Sequence, residues 1–67
     1  MRLTFVGTNS NGGNCPAVYE TDRGTVVVQG WKLNEGDQAW SDLVNLADGE
    51  TAIEIPRELL PYLRNLE

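Results

Sequence analysis

Thr21-Asp22-Arg23-Gly24-Thr25 constrains the fold more than any other stretch, because it places a tight turn between two runs of β-forming residues. Asp22 and Arg23 suit the central positions of a type I turn, and Gly24 can take the positive φ of the bulge that closes such a hairpin. On its N-terminal side "CPAVYET" (15–21) is rich in β-formers, with Pro16 near its start, where a missing N–H harms a ladder least. On its C-terminal side "TVVVQGWKL" (25–33) carries a continuous valine run that predicts burial on both faces. A hairpin of two antiparallel strands follows, with the valine strand expected at the centre of the sheet and the "CPAVYET" strand at an edge. Gly30 inside the valine strand marks a bulge or a close backbone approach.

Two more segments share the period of two. In "RLTFV" (2–6) Leu3 and Phe5 alternate with Arg2 and Thr4, and in "ETAIEIP" (50–56) Ile53 and Ile55 alternate with Glu54. Asn11-Gly12 is a favoured pair for a tight turn joining the first strand to the second. Between residues 34 and 50 the period changes. Trp40, Leu43, Val44 and Ala47 fall at i, i+3, i+4 and i+7, with Asp37 as N-cap and Gly49 as stop, which predicts a short helix. Pro56 then presets a second helical start, and Leu59, Tyr62, Leu63 and Leu66 share one face of it. Pro61 interrupts that segment, so a kinked or two-part terminal helix is expected. The fold class is therefore α+β: a small antiparallel sheet of about four strands, a short helix and a C-terminal helical segment, in one domain over residues 1–67.

A chain of 67 residues buries a small fraction of its surface, so its core must be compact. Leu3, Phe5, Val6, Val18, Tyr19, Val26, Val27, Val28, Trp31, Leu33, Trp40, Leu43, Val44, Ile53, Ile55 and the C-terminal leucines are the core candidates. The single cysteine, Cys15, closes no intrachain disulfide, and secreted domains of this length usually carry several. A cytoplasmic location is expected, with no signal peptide and no membrane span. Ten acidic residues face five basic ones, and Arg2, Arg23, Lys32, Arg57 and Arg64 are scattered rather than striped. Direct contact with nucleic acid, which needs a basic stripe to displace counterions from phosphate, is not expected.

Chemistry is sparse. With no histidine and one cysteine, a zinc site of Cys and His within the chain is excluded. Asp37, Asp42, Asp48 and Glu50 read as a solvated face rather than a calcium loop. "GTNSNGGN" (7–14) has neither a following lysine nor a following helix, so it reads as a connector and not a phosphate cradle. Ser10 and Ser41 have no histidine base, and nothing in the sequence lowers the pKa of Cys15. No catalytic, cofactor-binding or metal-binding residue is assigned and the chain reads as a non-enzyme. The alternative is a small ligand-binding domain or enzyme using surface carboxylates or Cys15.

Tryptophan is the exception to this plainness. So small a domain has little room for two of them, and tryptophan is enriched where proteins bind one another. Trp40 and Trp31, with the terminal face of Tyr62, Leu63 and Leu66, are the candidate partner-binding residues. Homodimerisation is the rival use of the same apolar surface.

"NGGNCPAVYETDRGTVVVQGWKL" followed by "ETAIEIPRELLPYL" resembles short actinobacterial proteins of unknown function that are encoded beside helix-turn-helix regulators, distantly like the domain of unknown function 397 family. Ser10, Gly12, Gly13, Asn14 and Cys15, then "TVVVQGW", then "AIEIP", carry the resemblance. Residues 34 to 49 are longer than the corresponding link of that family. The resemblance implies a regulatory accessory protein, antitoxin-like or a modulator, whose partner is the neighbouring helix-turn-helix transcription regulator. It brings no catalytic residues with it.

Overall fold

The computed structural model describes residues 1–9, 16–64 and 66. Strands β1 (Leu3–Thr8), β2 (Ala17–Thr21) and β3 (Val26–Gln29) form an antiparallel sheet in the order β1-β2-β3. A second antiparallel pair joins β4 (Trp31–Lys32) to β5 (Ile53–Glu54), with Trp31 opposite Glu54 and Lys32 opposite Ile53. Helix α1 (Ala39–Asp42) lies between β4 and β5, and the chain ends in a 3-10 turn (Arg57–Leu59) running into α2 (Leu60–Arg64). The architecture is α+β as expected, with the strands divided three and two.

The β2–β3 hairpin forms where the sequence places it. Gly24 has φ of 77°, and Thr21 organises the rest of the turn. Its Oγ1 accepts from the backbone N–H of Arg23 at 3.0 Å and of Thr25 at 3.2 Å, while its own N–H donates to the Thr25 carbonyl at 3.0 Å. The favoured Asn11-Gly12 turn lies outside the described residues, but β1 and β2 do pair antiparallel across it, and the Thr8 hydroxyl donates to the Pro16 carbonyl at 2.5 Å.

Strand order corrects the sequence reading. The central strand is β2, and the valine strand β3 lies at an edge of its sheet. A single β-bulge explains how the faces are then assigned. In β1 the register shifts between Phe5 and Gly7, so that Phe5 opposes Tyr19 but Gly7 opposes Val18. Gly7, Val18 and Val28 thus share one face, and Leu3, Phe5, Tyr19 and Val27 share the other.

The terminal segment covers the first of these faces. Val18 and Leu59 are completely buried, and a Cβ built on Gly7 would overlap the ring of Tyr62. Gly7 is glycine because the Tyr62 ring approaches its backbone closely, an approach that any side chain would block. The two-part form of the segment follows from Pro61. It has no N–H to give the Arg57 carbonyl, and that carbonyl takes the Leu60 N–H instead, a bond of 3-10 type. Gly30 makes the other close approach: a Cβ there would stand 2.7 Å from the Glu54 carbonyl oxygen and 2.7 Å from Ile55 Cγ2.

Leu3, Phe5, Val26, Trp31, Leu43, Val44 and Ile53, all expected in the core, are exposed. Among the described residues the buried apolar set is Ala17, Val18 and Leu59. The Leu59–Tyr62 segment covers the Gly7–Val18 face, while on the other face Ala17 is buried and the end that carries Leu3 and Phe5 is exposed.

Replacing Gly7 by alanine should therefore cost about 1–3 kcal/mol, the usual penalty for forcing an extra carbon into a packed site. Urea denaturation of Gly7→Ala, Tyr62→Ala and the double variant measures it. The double variant should lose less than the two single losses added together, because removing the ring opens the space that the new methyl needs.

Candidate partner-binding surface

Helix α1 is shorter than its apolar period suggests, and the reason locates the site. The N-cap is Gln38 rather than the expected Asp37, but Asp37 still sets up the first turn from one residue earlier: Oδ1 accepts from the Ala39 N–H at 2.8 Å, and the Asp37 carbonyl accepts from the Trp40 N–H at 3.3 Å. The chain leaves the helix at Leu43, which is extended at φ −78° and ψ 135°, and Asn45 takes a left-handed φ of 59°. Glu50 Oε1 then accepts from the Ala47 N–H at 2.9 Å while the Glu50 N–H donates to the Ala47 carbonyl at 3.0 Å, closing a turn around Gly49 at φ 86°. A longer helix would need a surface on which to bury Leu43, Val44 and Ala47, and short helices gain most of their stability from such packing. The β4–β5 pair, two residues per strand, is too small to supply it.

Trp40 is held in place all the same. Its Nε1–H donates to the Asn34 carbonyl at 2.8 Å, and the same carbonyl accepts the Asp37 N–H at 3.1 Å. The half-buried indole forms one wall of an open cleft of about 410 Å³, completed by Lys32, Leu33, Glu35, Thr51, Ala52 and Ile53. Beyond the cleft the loop presents Leu43, Val44 and Leu46, exposed at 37%, 81% and 45%. An anchored aromatic side chain near uncovered aliphatic ones is a combination that protein-binding patches commonly use.

The other candidates lie apart from this cleft. Trp31, 49% exposed, stands on β4 opposite Glu54 and is not among the cleft residues. Tyr62 rests on Gly7, and Leu63 and Leu66 are half-buried, so these three belong to the terminal segment that covers the sheet. Sequence reasoning missed Leu43 and Val44 as surface residues because their spacing reads as a buried helical face, and it assigned no role to Leu46. It missed Phe5 for a similar reason. The Phe5 ring is 58% exposed and meets Tyr19 edge-on, with centroids 5.9 Å apart and planes at 71°.

The remaining chemistry is thin. Among the described residues no three His, Cys, Asp or Glu side chains come together as metal ligands would, and Cys15 lies outside those residues. No helix of the described residues is long and apolar enough to cross a membrane. Comparison with family models, curated proteins and solved structures finds no match to this chain.

Trp40→Phe keeps the aromatic wall but removes the bond to the Asn34 carbonyl, and should destabilise the chain by about 1 kcal/mol, the net worth of one such bond. Chemical denaturation gives the size. The near-ultraviolet circular dichroism bands of Trp40 should disappear in this variant, leaving those of Trp31.

Proposed function

We propose that this chain is a small protein-interaction module without catalytic activity, and that it binds through the Trp40 cleft and the adjoining Leu43–Leu46 loop. The observation that carries the reading is the indole of Trp40, fixed by its bond to the Asn34 carbonyl yet open along the cleft. A pre-positioned aromatic anchor loses little conformational freedom on binding, which is why such residues dominate interface energies. A chain with a net charge of −5 suits a basic partner, and complementary charge speeds encounter more than it adds affinity.

The partner class comes from the resemblance carried by Gly12 to Cys15, "TVVVQGW" and "AIEIP": a helix-turn-helix transcription regulator encoded nearby, whose DNA-reading surface would be basic. In this reading the chain acts as an accessory or antitoxin-like modulator. It touches the regulator and leaves DNA contact to it.

Calorimetry of the chain with that regulator, followed in parallel by tryptophan fluorescence, tests the proposal. Binding at micromolar concentration with a blue-shifted emission is expected, weakening as salt is raised. Val44→Asp, at a position 81% exposed, should weaken binding about tenfold or more without altering the far-ultraviolet spectrum. Trp40→Ala should weaken it further. Absence of heat, spectral shift and co-elution at those concentrations would overturn the proposal, as would full affinity in the folded Val44→Asp protein.

A further inference from the structure

The net charge of the chain is unevenly placed. Residues 31–55 hold six of the ten acidic residues, Glu35, Asp37, Asp42, Asp48, Glu50 and Glu54, and one of the five basic ones, Lys32, so their balance is −5. In the rest of the sequence four acidic residues meet four basic ones and cancel. The whole excess of negative charge therefore belongs to the stretch from β4 to β5, which also supplies every residue of the Trp40 cleft. Glu35 lines that cleft, and Glu50 and Glu54 flank its wall of Thr51, Ala52 and Ile53 in the sequence. A cleft with apolar walls concentrates such a field and draws cations to it.

Trp40 narrows what the cleft can hold. Its indole N–H already donates to the Asn34 carbonyl at 2.8 Å, and indole has no other polar hydrogen, so the ring meets an occupant through its π system alone. The face of that system is negative, and it attracts a cation more strongly in tryptophan than in tyrosine or phenylalanine. Leu33, Ala52 and Ile53 add aliphatic wall, and exposed Glu35 adds a carboxylate. Arginine matches this set: its planar guanidinium stacks on an aromatic face and pairs with a carboxylate, while its methylenes lie along aliphatic surface. We infer that the cleft takes an arginine side chain of the protein partner, its guanidinium on the Trp40 indole and against the Glu35 carboxylate. The inference rests on the protein-binding reading of the cleft and names the group that enters it.

Lys32 works against this occupant, because it is the one cation among the cleft residues and repels a guanidinium. The two charged residues of the cleft should therefore act in opposite directions. Neutralising Glu35 weakens the binding of a cation and neutralising Lys32 strengthens it. An acidic occupant would reverse both signs, and a purely apolar one would respond to neither.

Titration of the full chain with the acetylated and amidated peptide Gly-Gly-Arg-Gly-Gly, up to millimolar concentration, tests the inference. The indole N–H signals in nuclear magnetic resonance spectra report it, with Trp31, outside the cleft, as the internal reference. Two companion peptides carry citrulline, which keeps the shape of arginine without its charge, or leucine in place of the arginine. The arginine peptide should bind about tenfold or more tightly than either, and lose affinity as salt is raised. Glu35→Gln should weaken it about fivefold and Lys32→Gln should strengthen it, both at exposed positions where the far-ultraviolet spectrum should stay native. Trp40→Leu, apolar but without a π system, should lose the preference for arginine over leucine. Equal binding of the three peptides, or tighter binding of the leucine one, overturns the arginine inference and leaves the cleft a protein-binding surface. Binding of none of them overturns it too, and calorimetry with the regulator then decides the broader reading separately. Undiminished affinity in the folded Glu35→Gln protein is equally fatal to it.

Discussion

The three-stranded half of this fold depends on one close contact, the ring of Tyr62 against the backbone of Gly7, with Leu59 and Val18 both fully buried. A sheet gains stability only by burying a face against something, and this chain has one helical segment with which to do it. The bulge in β1 decides which face that is. By shifting register between Phe5 and Gly7 it brings the one residue without a side chain opposite Val18, where the terminal segment can settle closely. The same shift sends Phe5 outward to stand with Tyr19. The covered face and the exposed Phe5 are two results of one irregularity.

The second close approach organises the remaining half of the molecule. At Gly30 the chain passes from β3 into β4 with the Glu54 carbonyl and the Ile55 side chain against it, so β5 reaches β4 only because that position lacks a Cβ. From this small two-stranded platform hangs the whole of residues 33–52. Backbone bonds at Asn34, Asp37 and Ala47 hold the segment, and the indole of Trp40 joins them by donating to the Asn34 carbonyl. Polar turns rather than apolar packing fix this region, and for that reason its leucines and Val44 remain on the surface.

What the sequence revealed and what it concealed divide along the same line. Features set by local backbone chemistry were legible: the Thr21–Thr25 turn with its positive-φ Gly24, the helix start beside Asp37, one residue later than expected, the close approach at Gly30 and the proline-split terminal segment. Features set by how much cover exists were not. The valine run of β3 read as a central strand, yet only Val27 and Val28 are half-buried and Val26 is exposed, because β3 is the edge that leads away to β4. Trp40, Leu43, Val44 and Ala47 kept a helical period but had no surface to meet, so the helix stopped after Asp42. Periodicity reports which residues could share a face and says nothing about whether that face has a partner. For the candidate site the tryptophan was visible in advance. Its neighbours Leu43 and Val44 were hidden by a period that promised burial.

So little internal burial has a thermodynamic consequence that joins fold to function. With few residues buried among those described, Gly7, Pro16, Ala17, Val18 and Leu59, the free energy holding the chain together is small, and marginal stability is usual for domains of this size. Any molecule that binds the folded form and not the unfolded one adds RT ln(1 + [L]/Kd) to that free energy, about 2.7 kcal/mol at a hundred times Kd. An increment of that size is a large share of what so small a core supplies. Binding at the proposed Trp40 cleft would therefore be coupled to folding even though none of the cleft residues belongs to the three-stranded sheet. A partner that removes Val44 from water does for this chain what a larger core does for a longer one. Its folded population then becomes a function of who is present and at what concentration.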